Sequence, residues 1–138
     1  MYWQKIWSFF KNVYSFEPNK LTYKLLAINT ELIKNVTTKE VISCADQDGY
    51  VPIDKGIELL MKADALIGHN IIGYDIPLLQ ESYDFETDAT LVDTLVLSRL
   101  FYPHIADRDY ERRPTGMPAK LYGRHSLEAW GYRLKCFK

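Results

Sequence analysis

The sequence predicts a mixed α/β fold, with helices flanking a mixed sheet. Two short apolar runs, residues 65–69 and 91–92, each end at polar side chains and lead into a helical pattern. Two earlier apolar segments with a turn region between them predict an antiparallel pair of strands. Strands that alternate with helices are typical of an α/β arrangement. A chain of 138 residues, 47% of them hydrophobic, is long enough for one domain with a substantial core.

The first 17 residues predict an amphipathic helix. Aromatic and aliphatic side chains recur there at helical spacing; they are Trp3, Ile6, Trp7, Phe10, Val13 and Tyr14. The apolar face of such a helix can pack on its own domain, on a partner or on a membrane surface. We therefore expect residues 1–20 to form a separate N-terminal element ahead of a main domain at residues 21–138.

The antiparallel strands are predicted at residues 23–28 and 41–44, and residues 35–40 have the composition of a turn. A short helix over residues 53–63 follows, because its apolar side chains share one face. This helix ends just before the apolar run that begins at residue 65.

Two further helices are predicted downstream of the two apolar runs. The helix at residues 76–82 is entered through Pro77, and proline is well tolerated in a first helical turn. The next helix follows the strand at residues 91–92, and either Asp93 or Thr94 can cap it.

Residues 102–122 predict a loop, since the segment holds three prolines and many charges. A loop of this length in a compact domain is usually functional or mobile. The chain closes with a helix that Ser126 can cap, and Leu127, Trp130 and Leu134 form its inner face.

Charge is distributed unevenly along the chain, although the net charge is only -1. Residues 58–93 hold eight acidic side chains and one basic one, whereas residues 108–138 hold eight basic and three acidic ones. This distribution suits a metal-assisted site beside an anion-binding surface, and it also suits two ordinary solvated faces. The small net charge removes any argument for nucleic-acid binding from overall basicity.

Targeting features point to the cytoplasm. Two cysteines form neither a disulfide framework nor a metal-type spacing, which favours a reducing compartment. No apolar run approaches the roughly 18 residues of a membrane span, and the N-terminus lacks the features of a signal peptide. We expect no secretion and no membrane partner.

Three side chains that can hydrogen-bond or bind a metal follow the run at residues 65–69: His69, Asn70 and Asp75. Ligands collect at the carboxyl ends of strands in α/β proteins. A carboxylate at the end of a buried strand is costly unless it is paired or binds a cation, so Asp75 is the leading candidate for a metal ligand and catalytic residue. His69 and Asn70 can hold a ligand or shape the turn, and Asp93 can be a ligand or a helix cap.

Basic and aromatic side chains alternate between residues 102 and 124. Arg112, Arg113 and Arg124 are candidates for binding substrate, because cations on phosphates and rings beneath bases are typical of single-strand binding. A solvated loop explains the same pattern equally well.

Three segments, residues 66–79, 92–100 and 125–134, resemble in order three landmarks of one family. It is the 3′→5′ proofreading exonuclease domain of family A DNA polymerases from short-tailed phages. That domain belongs to the DEDD exonucleases, which have a ribonuclease-H-like fold. The resemblance extends from about Leu21 to the C-terminus, and the runs Asp-Thr-Leu-Val-Leu-Ser-Arg-Leu and Leu-Glu-Ala-Trp-Gly-Tyr-Arg-Leu make it specific.

The resemblance implies metal-dependent hydrolysis of single-stranded 3′ ends of DNA. In the family, four carboxylates hold two Mg²⁺ ions that activate the attacking water and stabilise the leaving oxygen. The second motif places one of these ligands at Asp75 and the asparagine near the terminal nucleotide at Asn70. Asp93 and Thr94 match a family position that we interpret as structural. The family setting implies the cytoplasm of an infected bacterial host.

Two departures from the family pattern affect the expected activity. No Asp-x-Glu stands before Leu21, where the first strand should carry it, and the Tyr-xxx-Asp of the last motif is not found up to Lys138. The resemblance therefore implies an incomplete ribonuclease-H-like fold without its first strand and last helix, and three of four metal ligands are missing.

Two functions follow from this pattern. The chain is a fragment of the exonuclease domain, inactive alone, and the remainder of a split polymerase is its potential partner. Alternatively, the same fold serves as a non-enzymatic module that binds single-stranded DNA or a replication protein.

Overall fold

The computed structural model describes residues 22–25 and 31–136. The amphipathic helix predicted for residues 1–17 lies outside the described residues. The described chain forms two compact units, a first unit that ends at Thr94 and a second unit that begins at Leu95.

The first unit contains a five-stranded sheet in the order β3-β2-β1-β4-β5. Strand β1 lies antiparallel to β2 and parallel to β4, while β2–β3 is antiparallel and β4–β5 is parallel. This mixed sheet confirms the predicted α/β class. The strands are β1 (Thr22–Leu25), β2 (Glu31–Asn35), β3 (Val41–Cys44), β4 (Ala65–Gly68) and β5 (Thr90–Asp93).

Strand β1 occupies the centre of the sheet. Tyr23 faces Asn35 of β2 on one side and Leu66 of β4 on the other. The sheet is therefore continuous from the antiparallel strands to the parallel ones.

The predicted hairpin was assigned to the wrong pair of strands. Val41–Cys44 pairs with β2, not with the predicted partner at residues 23–28. Three of the five residues of β2 are polar or charged, so its apolar signal is weak. The turn between β2 and β3 is held by Asn35 Oδ1, which accepts the backbone N–H groups of Thr37 at 2.9 Å and Thr38 at 3.0 Å.

Five α-helices lie among the described residues, and a short π-helical turn, Ile71–Asp75, precedes the second of them. No helix in this part of the chain is both long and apolar enough to cross a bilayer. A 3-10 turn covers Ala119–Leu121. The helices are α1 (Ile53–Met61), α2 (Ile76–Tyr83), α3 (Thr94–Phe101), α4 (Ile105–Arg112) and α5 (Leu127–Arg133).

In the core of the first unit, buried side chains of α1 and of the strands pack against those of the π-helical turn and α2. All four residues of β4 are buried, which explains its short, continuous apolar run. Each large aliphatic side chain buried in this way contributes roughly 1.5–3 kcal/mol. Members of this core include Ile33, Ile57, Leu60, Leu66, Ile71, Leu79 and Phe85.

The second unit contains a helix where a loop was predicted. Residues 102–122 include α4, whose buried face is formed by Ile105 and Asp109, one turn apart. Asp109 is only 2% exposed and pairs with the guanidinium of Arg133. The helix was missed because an ion pair, and not an apolar stripe, fills half of its buried face.

The final helix begins as predicted. Ser126 Oγ accepts the backbone N–H of Ala129 at 3.3 Å and so caps α5. Trp130 is buried on its inner face, and its indole Nε1 donates to Ser98 Oγ at 2.7 Å. Met117, Leu121 and Ala129 form a small core beside this helix.

Candidate functional site

The chain reverses sharply at the carboxyl end of β4. Asn70 adopts a left-handed conformation with φ of 66°, which asparagine tolerates better than most residues. A Cβ at Gly68 would lie 2.8 Å from Ile71 Cβ, and one at Gly73 would lie 2.7 Å from Asn70 Oδ1. The approach to Ile71 Cβ requires glycine at position 68, whereas a Cβ at position 73 would require the exposed Asn70 side chain to move.

The carboxylate of Asp93 holds this turn in place. Its Oδ1 accepts the backbone N–H of Asn70 at 2.9 Å, and its Oδ2 accepts that of Ile72 at 3.2 Å. Asp93 is 4% exposed, so these charge-assisted bonds offset the cost of burying the group. The contacts give Asp93 a structural role in linking β5 to the turn after β4.

His69 is oriented by the first residue of α3. Thr94 Oγ1 lies 3.0 Å from His69 Nδ1 and 3.3 Å from the carbonyl oxygen of Gly68. A hydroxyl has one proton, and the carbonyl can only accept it. Nδ1 therefore donates to Thr94, and Nε2 carries the lone pair when the ring is neutral.

Asp75 lies where the π-helical turn runs into α2, and its side chain is half-buried. The pKa of the Asp75 carboxyl is raised to about 6, chiefly by burial and to a smaller extent by the negative charge of Asp93, against the lowering effect of its own backbone hydrogen bond. π-helical turns are often found at functional sites. His69, Asn70 and Asp75 thus lie together around one turn, as their spacing predicted.

The described residues offer limited capacity for a metal. No group of three histidine, cysteine, aspartate or glutamate side chains within residues 22–25 and 31–136 is placed to hold an ion. Asp93 uses both oxygens on backbone N–H groups, which leaves the half-buried Asp75 as the carboxylate to consider. Mg²⁺ commonly binds through one or two carboxylates, retained waters and a substrate phosphate. One carboxylate can supply only part of the ligand set of a single Mg²⁺ ion, and less of the set that two ions need.

The predicted substrate-binding arginines all belong to the second unit. Arg112 and Arg113 line a cavity of about 500 Å³, whereas Arg124 is exposed and is not one of its lining residues. Sequence reasoning missed five further lining residues near the end of the chain: Trp130, Tyr132, Arg133, Leu134 and Lys135. The sequence does alternate basic and aromatic residues in this segment. The helical period of α5, however, favoured the interpretation that its aromatic side chains belong to the core.

A buried hydrogen-bonded cluster lies beneath this helix. Ser98 Oγ accepts from Trp130 Nε1 and lies 2.7 Å from His125 Nδ1. Burial lowers the pKa of His125, and the positive charges of Arg133 and Arg99 lower it further, although Asp109 opposes them. The lowered pKa favours the neutral imidazole, which shares one hydrogen bond with Ser98 Oγ through Nδ1.

Comparison with known proteins relates the chain to DNA polymerases. It is 30% identical over 126 residues to the DNA-directed DNA polymerase of Escherichia phage T7, and equally so to that of Enterobacteria phage T3. Each match covers 86% of this chain and 18% of the relative, so the chain spans about a fifth of the length of these curated relatives. No family model matches the chain. Over most of its own length, the chain is therefore related to phage DNA-directed DNA polymerases.

Proposed function

We propose that the chain is a piece of the 3′→5′ proofreading exonuclease part of a phage-type DNA polymerase. Its reaction class is the metal-dependent hydrolysis of phosphodiester bonds at single-stranded 3′ ends of DNA in the cytoplasm of an infected bacterial cell. The observation that carries this proposal is the position of Asp75. It lies half-buried beside the carboxyl end of a parallel strand, next to the turn that presents His69 and Asn70.

The roles of the first-unit residues follow from their chemistry. When bound, Mg²⁺ would supply charge stabilisation at the phosphate and a more acidic water. Asp75 is the residue that would hold the ion, and ionisation of its carboxyl would be favoured by the bound cation. Asn70, held in its left-handed conformation by Asp93, would position the terminal nucleotide together with His69.

We further propose that the chain alone hydrolyses little or no DNA. Phosphoryl hydrolysis with two ions requires several carboxylates spread over both. Asp75 supplies one, and Asp93 is engaged with the backbone of the turn. The remaining ligands would come from the remainder of a split polymerase, which is the partner that this proposal requires.

The metal role of Asp75 can be tested without turnover. We would follow the pH titration of the Asp75 carboxyl carbon by NMR in EDTA, with Mg²⁺, and with Mg²⁺ plus a single-stranded oligonucleotide. The apparent pKa should be near 6 in EDTA and should fall when metal and DNA are present together. An unchanged pKa under all three conditions would show that Asp75 holds no cation and would overturn the proposal.

Hydrolysis itself can be measured with end-labelled single-stranded DNA and Mg²⁺. We expect no nucleotide removal above the level of Asp75→Ala. Removal that depends on Asp75 would overturn the proposed inactivity while supporting the exonuclease assignment. Removal that persists in Asp75→Ala would contradict the assignment of the site.

A further inference from the structure

The cavity of the second unit lies between α4 and α5 and contains both aromatic rings and cations. We propose that this cavity binds a nucleobase of single-stranded DNA together with the phosphates that flank it. The inference rests on the proposed function for the identity of the polymer. It adds a binding site that needs neither Asp75 nor a metal ion.

The lining of the cavity is positively charged. Four exposed cations line the cavity: Arg108, Arg112, Arg113 and Lys135. The acidic side chain in the lining, Asp109, is neutralised by Arg133, so the four cations define the field inside. A polyanion is the ligand that this field attracts.

The cavity is also lined by aromatic side chains. Trp130 forms a buried part of the lining, and its ring meets that of Tyr102 edge to face, with centroids 5.2 Å apart. Tyr102, which lies just before α4, and Tyr132 of α5 are half-buried and line the cavity. Rings combined with cations are the means by which proteins hold unpaired bases without reading their sequence. A cavity of about 500 Å³ lies in the size range of small-molecule sites.

The cavity walls are fixed before any ligand enters. Arg133 donates to both oxygens of Asp109, from Nε at 2.8 Å and from Nη2 at 2.6 Å, and so connects α5 to α4. Asp109 also accepts the backbone N–H of Gly123 at 2.9 Å, which holds the connecting segment. The guanidinium carbon of Arg133 lies 5.1 Å from the centroid of the Trp130 ring, so the same ion pair positions the aromatic surface. Preorganisation of this kind lowers the ordering cost of binding.

The combination favours an unpaired strand over other polyanions. An acidic peptide would satisfy the cations but carries no planar base to lie against the half-buried ring of Tyr132. A DNA duplex would present phosphates, but its bases are stacked on one another and unavailable to Tyr132. A single strand supplies both groups, an unpaired base and the phosphates that flank it.

The fluorescence of Trp130 can report the binding of DNA to the cavity. Trp3→Phe/Trp7→Phe leaves it as the sole tryptophan of the full chain. In this background and in EDTA, titration with oligothymidylate should quench its fluorescence, and the affinity should fall as salt rises. Arg112→Gln/Arg113→Gln should weaken binding and should reduce the slope of log affinity against log salt by about 1.4, which corresponds to two phosphate contacts. Tyr132→Ala should weaken binding about 5- to 150-fold through the loss of one stacked base.

A matched control separates site binding from general electrostatics. Lys55→Gln/Lys62→Gln removes the same two charges from exposed positions of the first unit and should leave the affinity within about twofold of the parent. Equal weakening in both double variants, or no quenching at all, would overturn the cavity as the binding site. Stronger quenching by a poly-glutamate peptide or by duplex DNA would identify a different occupant and would also overturn it. Because this assay is run in EDTA and follows Trp130 of the second unit, its outcome is separate from that of the metal titration of Asp75.

Discussion

The backbone N–H of Asn70 donates to the carboxylate of Asp93 across 2.9 Å, and this bond joins the end of β5 to the turn that follows β4. The turn carries every first-unit residue predicted to act on substrate. Its geometry therefore depends on a carboxylate that accepts two backbone N–H groups of the turn, those of Asn70 and Ile72.

Replacement of Asp93 by alanine should destabilise the protein by about 3 kcal/mol, because two buried backbone N–H groups lose charged acceptors. Urea unfolding of the parent and the variant measures the difference. Asp88→Ala, which changes an exposed carboxylate of the neighbouring loop, should leave the free energy of unfolding within about 0.5 kcal/mol. Equal effects of the two substitutions would contradict the structural role of Asp93.

Replacement of Gly68 by alanine should cost about 2 kcal/mol or more, since its new Cβ would lie 2.8 Å from Ile71 Cβ. The overlap involves an atom that every residue except glycine carries. Combining Gly68→Ala with Ile71→Ala should therefore give no recovery in thermal unfolding. Recovery in the double variant would show that the outer atoms of the isoleucine, and not the backbone approach, limit position 68.

Asp75→Asn should stabilise the chain at neutral pH and leave it unchanged in acid. The folded-state pKa of Asp75 is raised from 3.8 to about 6, so the folded protein holds this proton more tightly than the unfolded chain does. The stability that the proton contributes is fully present below pH 3.8 and is lost as the pH rises through about 6. Asparagine mimics the protonated form at every pH.

In EDTA above pH 7, the variant should be more stable than the parent by about 1 kcal/mol after allowance for solvent screening, a rise in Tm of about 3 °C. Thermal unfolding from pH 4 to pH 8 measures the difference, with Asp88→Asn as the control. A constant difference between Asp75→Asn and the parent across this range would contradict the raised pKa.

The ion pair between Asp109 and Arg133 should behave as a coupled unit. Asp109→Ala leaves a buried guanidinium uncompensated and should cost about 3–5 kcal/mol. Asp109→Leu/Arg133→Met removes both charges and should recover most of that loss. A double variant as unstable as the single one would show that the contacts of Asp109 with Gly123, and not its pairing with Arg133, are what matter.

The same pair predicts acid sensitivity of the second unit. Burial by itself raises the pKa of Asp109, but hydrogen bonds from Arg133 and Gly123 and the charge of Arg133 hold it below its ordinary value. This stability is present above the unfolded pKa and is lost as the pH falls through the folded value. In the Trp3→Phe/Trp7→Phe background, near-ultraviolet circular dichroism of Trp130 on acid titration reports the loss, and Asp109→Asn should remove this pH-dependent contribution by lowering stability at neutral pH as well.

Strong apolar periodicity was sufficient to predict most elements from the sequence. The four buried residues of β4 and the proline-entered α2 lie where their patterns placed them. The cap of α5 by Ser126 was also predicted correctly. In each case, local chemistry and burial favour the same structure.

The missed elements depend on contacts that are distant in sequence. Strand β2 is half polar and becomes a strand through pairing with β1 and β3. Helix α4 is stabilised by an Asp109–Arg133 pair 24 residues apart, which no local pattern reveals. The candidate site divides in the same way, because the turn around Asp75 is local, whereas the cavity that contains Arg112 and Trp130 joins segments far apart in the chain.

The outer side of β3 is partly closed by the chain itself. Val51 donates its backbone N–H to Ser43 at 3.1 Å and accepts that of Ala45 at 2.9 Å, beyond the ladder that joins β3 to β2. A strand from another molecule would find these groups already engaged and only a four-residue segment to pair with. Self-protection of this kind opposes intermolecular strand addition, so fibrillar growth along this border of the sheet is disfavoured even in concentrated solution.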